Sequence, residues 1–317
     1  IAINPDFPTT QRNYALACFN KLGDADKALS ALERAFELDP SDARILMELD
    51  QLYKRLKHPL QKRLELLEKY RSVVDERDDL YLELITLYNL TGQHQLAYNL
   101  LMLRKFHPWE GGEGKVTGQY VFSLTELAKK AINEQKPEQA IELLIQARTY
   151  PPNLGEGKLY GAQENELLYL LGLAYEKLAD QAMATKFFKE ASEGMNEVSA
   201  AMFYNDQQPD SIFFRGLALQ NLGQETEAQQ CFDLLIDFGE KHQNDHVKID
   251  YFAVSLPDLL IWEDDLDTRN RHLCHYLMGI GHLGKGENER AKLLFEKVIK
   301  NDPAHQKANV FMQGLPG

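Results

Sequence analysis

The sequence predicts an all-α fold, a right-handed α-solenoid of about seven helical hairpins with inserted loops. Three observations carry that expectation. A frame of Gly, small and aromatic positions recurs roughly every 34 residues. Each copy holds two stretches whose apolar residues follow helical spacing. A Gly-containing turn divides most copies, and Pro40, Pro152 and Pro303 close three of them. An ordinary helical bundle has no reason to keep these residue types in one order so many times.

In residues 1–8, Ile3, Asn4 and Pro5 stand where ELDP lies at 37–40, so this stretch reads as the end of a preceding repeat of a longer array. Residues 9–104 hold repeats one to three. The first, at 9–42, has a turn at Gly23 and Asp24 and a stop at Pro40. Its Ala28 sits where the two helices cross, Leu32 and Ala35 follow on the same face, and Phe19 opposes them. The second keeps Leu49, Tyr53, Leu67 and Tyr70 but has Lys62 and Arg63 where a small residue is expected, so it is degenerate. The third keeps Leu84, Tyr88, Gly92, Ala97 and Leu101.

A loop at 105–120 precedes repeat four (121–152; Leu127, Ala131, Ala140, Leu144, Ala147, Pro152), and a loop at 153–164 precedes repeat five (165–195; Leu171, Gly172, Tyr175, Ala184, Phe188, Ala191). An irregular insert at 196–208 leads to repeat six (209–238; Gly216, Gly223, Ala228, Phe232). A long insert at 239–268 leads to repeat seven (269–303; Gly279, Gly286, Ala291, Phe295, Val298, Pro303). Residues 304–317 supply a capping helix and tail, since the last repeat of a solenoid needs its open face covered.

The two loops, KFHPWEGGEGKVTGQY and NLGEGKLYGAQEN, share the pattern GEGKxxG, at Gly112–Gly118 and Gly155–Gly161. Loops between a second helix and the next first helix line one edge of a solenoid, so the two are expected to be neighbours. His107, Trp109, Glu110, Glu113, Lys115, Glu156, Lys158, Tyr160, Gln163 and Glu164 would then form one ridge. A phosphate loop is excluded, because GxxxxGK[ST] between strand and helix is missing. Two readings of the ridge stand. Its carboxylates, Glu113 with Glu156, and its aromatic walls, Trp109 and Tyr160, suit acid–base work or the binding of a sugar or a polar loop. Alternatively each Glu and Lys pins its own glycine loop through backbone hydrogen bonds, and this bracing role is favoured.

Composition excludes several classes. The 317 residues are 44% hydrophobic with a formal net charge of −13. Such a chain lacks the clustered Lys and Arg of a phosphate-backbone binder, so no nucleic acid partner is expected. No run of about 18 apolar residues and no signal-peptide pattern occurs, so no membrane partner is expected, and a cytoplasmic location is. Cys18, Cys231 and Cys274 are far apart and form no CxxC, and each reads as a small buried residue on a helix. His242 and His246 are four apart, with His272, His275 and His282 beyond, but no HExxH accompanies them. No metal, no cofactor and no catalytic residue is expected.

The repeating frame resembles the tetratricopeptide repeat. Inner-face positions of the last three repeats, Tyr169, Leu173, Phe213, Leu217, Tyr276 and Ile280, form an apolar concave groove. They lack the Lys, Asn and Arg with which chaperone-tail-binding members of that family hold a carboxylate. An apolar groove must be covered, and the apolar stretch at 249–267 is the expected cover. The wording RAFELDPSDARILMELDQLYKRL, ERDDLYLELITLYN, FHPWEGGEGKVTGQY and NLGEGKLYGAQENELLYLLGLAYE also resembles the C-terminal half of a group of large bacterial proteins. That group carries an N-terminal, galactose-mutarotase-like domain of unknown function, and the resemblance implies a carbohydrate connection. Two functions are therefore expected. One is a protein-interaction and structural scaffold, docking upstream domains or a protein partner. The alternative lends the GEGK loops to a carbohydrate-binding or carbohydrate-processing site of the full-length protein, this segment alone not being an enzyme.

Overall fold

A computed structural model describes residues 6–198, 208–248 and 261–315. Ile3, Asn4 and Pro5 of the expected preceding repeat lie outside them. Among the described residues the chain is all-α, with sixteen α-helices and no strand. It divides into two compact units, one of Ile1–Gly92 with Asp258–Asp265, the other of Gln93–Pro257 with Leu266–Gly317. The division falls after Gly92, inside the expected third hairpin.

The first unit contains α1 (Pro8–Leu22), α2 (Ala25–Leu38), α3 (Ala43–Arg55), α4 (Leu60–Lys69), the single turn α5 (Arg71–Val74) and α6 (Asp78–Leu90). Local chemistry sets the ends. Gly23 takes a left-handed φ of 64°, and its N–H and that of Asp24 close the last carbonyls of α1, at Phe19 and Cys18. The Asp24 side chain then accepts from Lys27 N at 3.0 Å and starts α2, and Asp42 caps α3 by accepting from Arg44 N and Ile45 N. Ala28, Leu32 and Ala35 are wholly buried between the helices.

The degenerate second repeat is built on charge. Arg63, where a small residue was expected, is 1% exposed and packs its guanidinium on Asp50 (2.9 and 2.6 Å) and Glu83 (3.1 Å). Lys54 reaches Glu83 from the other side at 3.2 Å. A long side chain thus takes the place of close helix contact, with a matched set of carboxylates for its head.

The second unit contains α7 (His94–Leu103), α8 (Lys115–Asn133), α9 (Pro137–Ala147), α10 (Asn165–Lys177), α11 (Gln181–Ala191), α12 (Ser211–Asn221), α13 (Glu225–His242), α14 (Leu266–Gly284), α15 (Asn288–Asn301) and α16 (Gln306–Gly314). Each helix packs on the next, and α8, α10, α12 and α14 also pack successively on one another, which is the contact order of an α-solenoid. The register is set by size exchange. Gly172, Gly216 and Gly279 face Phe188, Phe232 and Phe295 at one spacing, and a Cβ on these glycines would lie 2.4, 2.5 and 2.6 Å from the opposing ring.

Two boundaries differ from the sequence expectation. Helix α8 begins at Lys115, so residues 115–120 of the 105–120 segment are helical and not loop. Helix α13 continues to His242 and α14 begins at Leu266, which shortens the 239–268 insert at both ends. The physical reason is backbone proximity. A Cβ at Gly239 would meet the Cys274 carbonyl at 2.7 Å, and one at Gly281 the Phe232 carbonyl at 2.8 Å, so these glycines let α13 and α14 pack along their extra turns. Cys18, Cys231 and Cys274 are buried, free and helical. No helix among the described residues is long and apolar enough to cross a membrane.

Candidate functional site

The two GEGK segments are neighbours. Phe106 N donates to Asn153 O at 2.8 Å, Asn153 Nδ2 donates back to Leu101 O and Arg104 O, and Gly114 N donates to Glu156 Oε2 at 2.9 Å. A Cβ at Gly155 would sit 2.7 Å from the Phe106 carbonyl, so the close approach needs glycine there. Their backbones are not copies, however. Gly114 is left-handed in the first segment and its counterpart Gly157 is not, while Gly161 is left-handed and its counterpart Gly118 lies in α8. The same seven-residue pattern therefore adopts two conformations.

The side chains differ in burial and in partners. Trp109 lies against Gly112, where a Cβ would fall 2.1 Å from its ring. Glu164 accepts from Arg148 Nε at 3.0 Å and is paired with Lys158. Gln163 and Glu113 are half-buried, whereas His107, Glu110, Lys115 and Tyr160 are exposed. Burial raises the pKa of Glu156, the Gly114 N–H partly offsets this, and the neighbouring Glu113 raises it further. Glu156 thus braces the other loop and not its own. The Glu156→Ala variant is expected to lower the stability of the second unit by about 1 kcal/mol through the lost hydrogen bond. Glu113→Ala, which removes only a like charge beside it, should cost nothing measurable. Urea melts of the two variants check this.

The six groove positions are partly or wholly buried. Phe213, Tyr276 and Ile280 are buried and Tyr169, Leu173 and Leu217 half-buried. Phe311 of α16 seats its ring 5.4 Å from that of Phe213 and 6.3 Å from that of Tyr276, so α16 packs on this part of the groove. Polar contacts register it. Gln306 and Gln119 exchange amide hydrogen bonds at 2.8 and 2.9 Å, and Lys307 pairs with Asp210, which also accepts from the Tyr276 hydroxyl. Behind Lys307, Glu166 and Glu126 flank Lys129 at 2.8 Å each. Burial opposes the charge on Glu166, but Lys129 and Lys307 outweigh it and lower its pKa.

Of the segment expected to lie in that groove, residues 249–260 fall outside the described residues, and 261–265 belong to the first unit. Trp262 is 3% exposed there, its Nε1 donating to the Glu48 carbonyl at 3.1 Å and its ring set edge-on to Phe19 at 5.3 Å. Asn20 holds the main chain on both sides of it, Nδ2 donating to Ile261 O at 2.9 Å and Oδ1 accepting from Glu263 N at 3.0 Å. Lys21 pairs with Glu263 at 3.3 Å, and Arg55 pairs with Asp264. The Glu48 side chain is itself fixed by Arg12 and Arg44.

Against known proteins, the Tetratricopeptide repeat family model matches residues 13–42 and 166–193. Those two stretches match a tetratricopeptide repeat. Solved structures that resemble it include a tetratricopeptide repeat protein from Parabacteroides merdae (14% identity, TM-score 0.45, 96% of this chain and 97% of that one). Others are the P58(IPK) TPR domain (14%, 0.34, 96% and 76%) and YrrB, a TPR protein with an unusual peptide-binding site (15%, 0.25, 90% and 98%). The two matched repeats are α1 with α2 and α10 with α11.

Within the first matched repeat, the residues that sequence reasoning missed are Asn20 and Lys21, with Arg55 from the repeat after it. Asn is a poor helix former because its amide competes for backbone groups, and an Asn near the end of α1 was the one available signal. The histidines pair locally, His242 with Asp245 at 2.6 Å and His246 with Asp267 at 2.8 Å, and not with each other.

Proposed function

We propose that this chain is a protein-interaction scaffold whose tetratricopeptide repeats hold short stretches of polypeptide, the partner being another protein or another domain of the same polypeptide. The observation that carries this reading is the seating of Ile261–Asp265 on α1 and α3. A side-chain amide engages peptide groups on both sides of a buried aromatic anchor, and cations lie opposite the two carboxylates after it. Main-chain hydrogen bonds supply affinity regardless of sequence, and a side-chain slot supplies selectivity, which is how extended peptides are held by protein surfaces. The GEGK loops give the carbohydrate reading less support, since Glu156 and Glu164 are already engaged by Gly114, Arg148 and Lys158.

The test uses the full chain with Trp262→Ala, which empties the slot, and a labelled peptide of the sequence 258–267. Saturable binding by fluorescence anisotropy is expected, at least tenfold weaker when Asn20→Ala is added. Absence of any binding to the emptied chain would overturn the scaffold reading at this face.

A further inference from the structure

We infer that the slot between α1 and α3 is a recognition site for a partner segment in which Trp is succeeded by two carboxylates, and that Ile261–Asp265 is its internal occupant, exchanged for the partner's. This rests on the scaffold reading and adds the partner's chemistry and the control of its entry.

The chemistry is dictated by what each receptor group accepts. The Glu48 carbonyl takes an N–H, so the ring in the slot must carry a donor at its edge. Trp does, Phe does not, and Tyr carries a hydroxyl at a different place. Phe19 presents the aromatic wall, edge-on, that an indole of this size fills. Asn20 accepts an N–H and donates to a carbonyl two residues apart in sequence, so the partner's chain must bend at the Trp as Ile261 and Trp262 do, with no Pro after it. The charges select next. Arg55 and Asp264 are both largely shielded, so a carboxylate at that second position matters, whereas Lys21 and Glu263 are both exposed and their pair contributes little.

The receptor is also prebuilt. The Glu48 side chain is wholly buried and held by Arg12 and Arg44, which fixes the stretch of α3 that offers its carbonyl. Both hydrogen bonds found for the Asn20 side chain go to the bound segment. Such a site is complete before its ligand arrives, and only non-covalent contacts hold the occupant in it.

Because the occupant is tethered through the chain, it competes at an effective concentration in the millimolar range. A partner segment of the same chemistry is therefore expected to bind the intact chain at least tenfold more weakly than an emptied one. The experiment titrates the labelled 258–267 peptide into the intact full chain, into Trp262→Ala, and into Glu263→Lys with Asp264→Lys. The last repels the internal segment from Lys21 and Arg55 while keeping the receptor whole. Circular dichroism melts confirm that each is folded.

Both variants should bind at least tenfold more tightly than the intact chain. The peptide with Trp→Phe, or with its two positions after Trp changed to Gln and Asn, should lose at least tenfold on either variant. Equal binding to intact and emptied chains would overturn the exchange. Equal binding of the altered peptides would overturn the assigned chemistry. Failure of the parent peptide on both folded variants would instead remove the scaffold reading beneath it.

Discussion

Arg63→Met is expected to lower the stability of the first unit by about 3 to 5 kcal/mol, the cost of leaving one partner of a buried ion pair alone. Asp50 is wholly buried, and Arg63 supplies it with two hydrogen bonds at 2.9 and 2.6 Å, so the substitution strands a carboxylate where water does not reach it. The double variant Asp50→Leu with Arg63→Met should recover most of that loss, because an apolar pair of similar volume needs no solvation. Urea midpoints of the single and double variants decide the matter, and equal destabilisation by both would show that the stranded Asp50 carboxylate is not the source of the loss. Acid provides a second readout. Burial opposes the charge on Glu83, but Lys54 and Arg63 outweigh it and hold its carboxyl at about 2 against an ordinary 4.5. A depressed carboxyl contributes stability that is complete above pH 4.5 and is lost as pH falls from 4.5 toward 2. That acid-dependent loss should be smaller in Arg63→Met.

The same residue shows where the sequence stopped being readable. A repeat frame is legible because it records local geometry. Gly172, Ala184 and Phe188 sit at fixed offsets since two helices cross there, and those offsets recur wherever the crossing does. Arg63 breaks the frame, and its compensation lies at Asp50 and Glu83 on two other helices, with no periodicity to announce it. The address of Trp262 was hidden for a related reason. An apolar stretch read as a cover carries no record of which face it covers, because a non-helical segment bonded through its main chain imposes no helical pattern. The Asn20 amide, over 240 residues away in sequence, decides the matter. Likewise the repeated GEGKxxG foretold that the two loops meet, since loop order matches repeat order. It did not foretell that Lys115 opens a helix while Lys158 closes on Glu164.

Phe232→Ala is expected to cost about 3 to 5 kcal/mol, the range for removing a buried aromatic ring and leaving a cavity. The ring is wholly buried, and it fills the notches of two glycines at once: a Cβ at Gly216 would lie 2.5 Å from it and one at Gly284 2.3 Å. Neither neighbour has a side chain to collapse into the space, which places the cost toward the upper end. The complementary change tests whether ring and notch are one unit. Gly216→Ala should gain about 0.5 to 1 kcal/mol of helix preference and lose about 1 to 3 kcal/mol to overpacking against the ring. With Phe232→Leu the ring is gone, so the added methyl meets a smaller side chain and the overpacking term should vanish. The fourth repeat already contains that solution, with Ala128 and Leu144 at the same spacing, both wholly buried. Gly216→Ala with Phe232→Leu should therefore be more stable than the sum of its single changes by about 1 kcal/mol or more. Strict additivity in urea melts would mean that the glycine and the aromatic ring do not fix the hairpin register together.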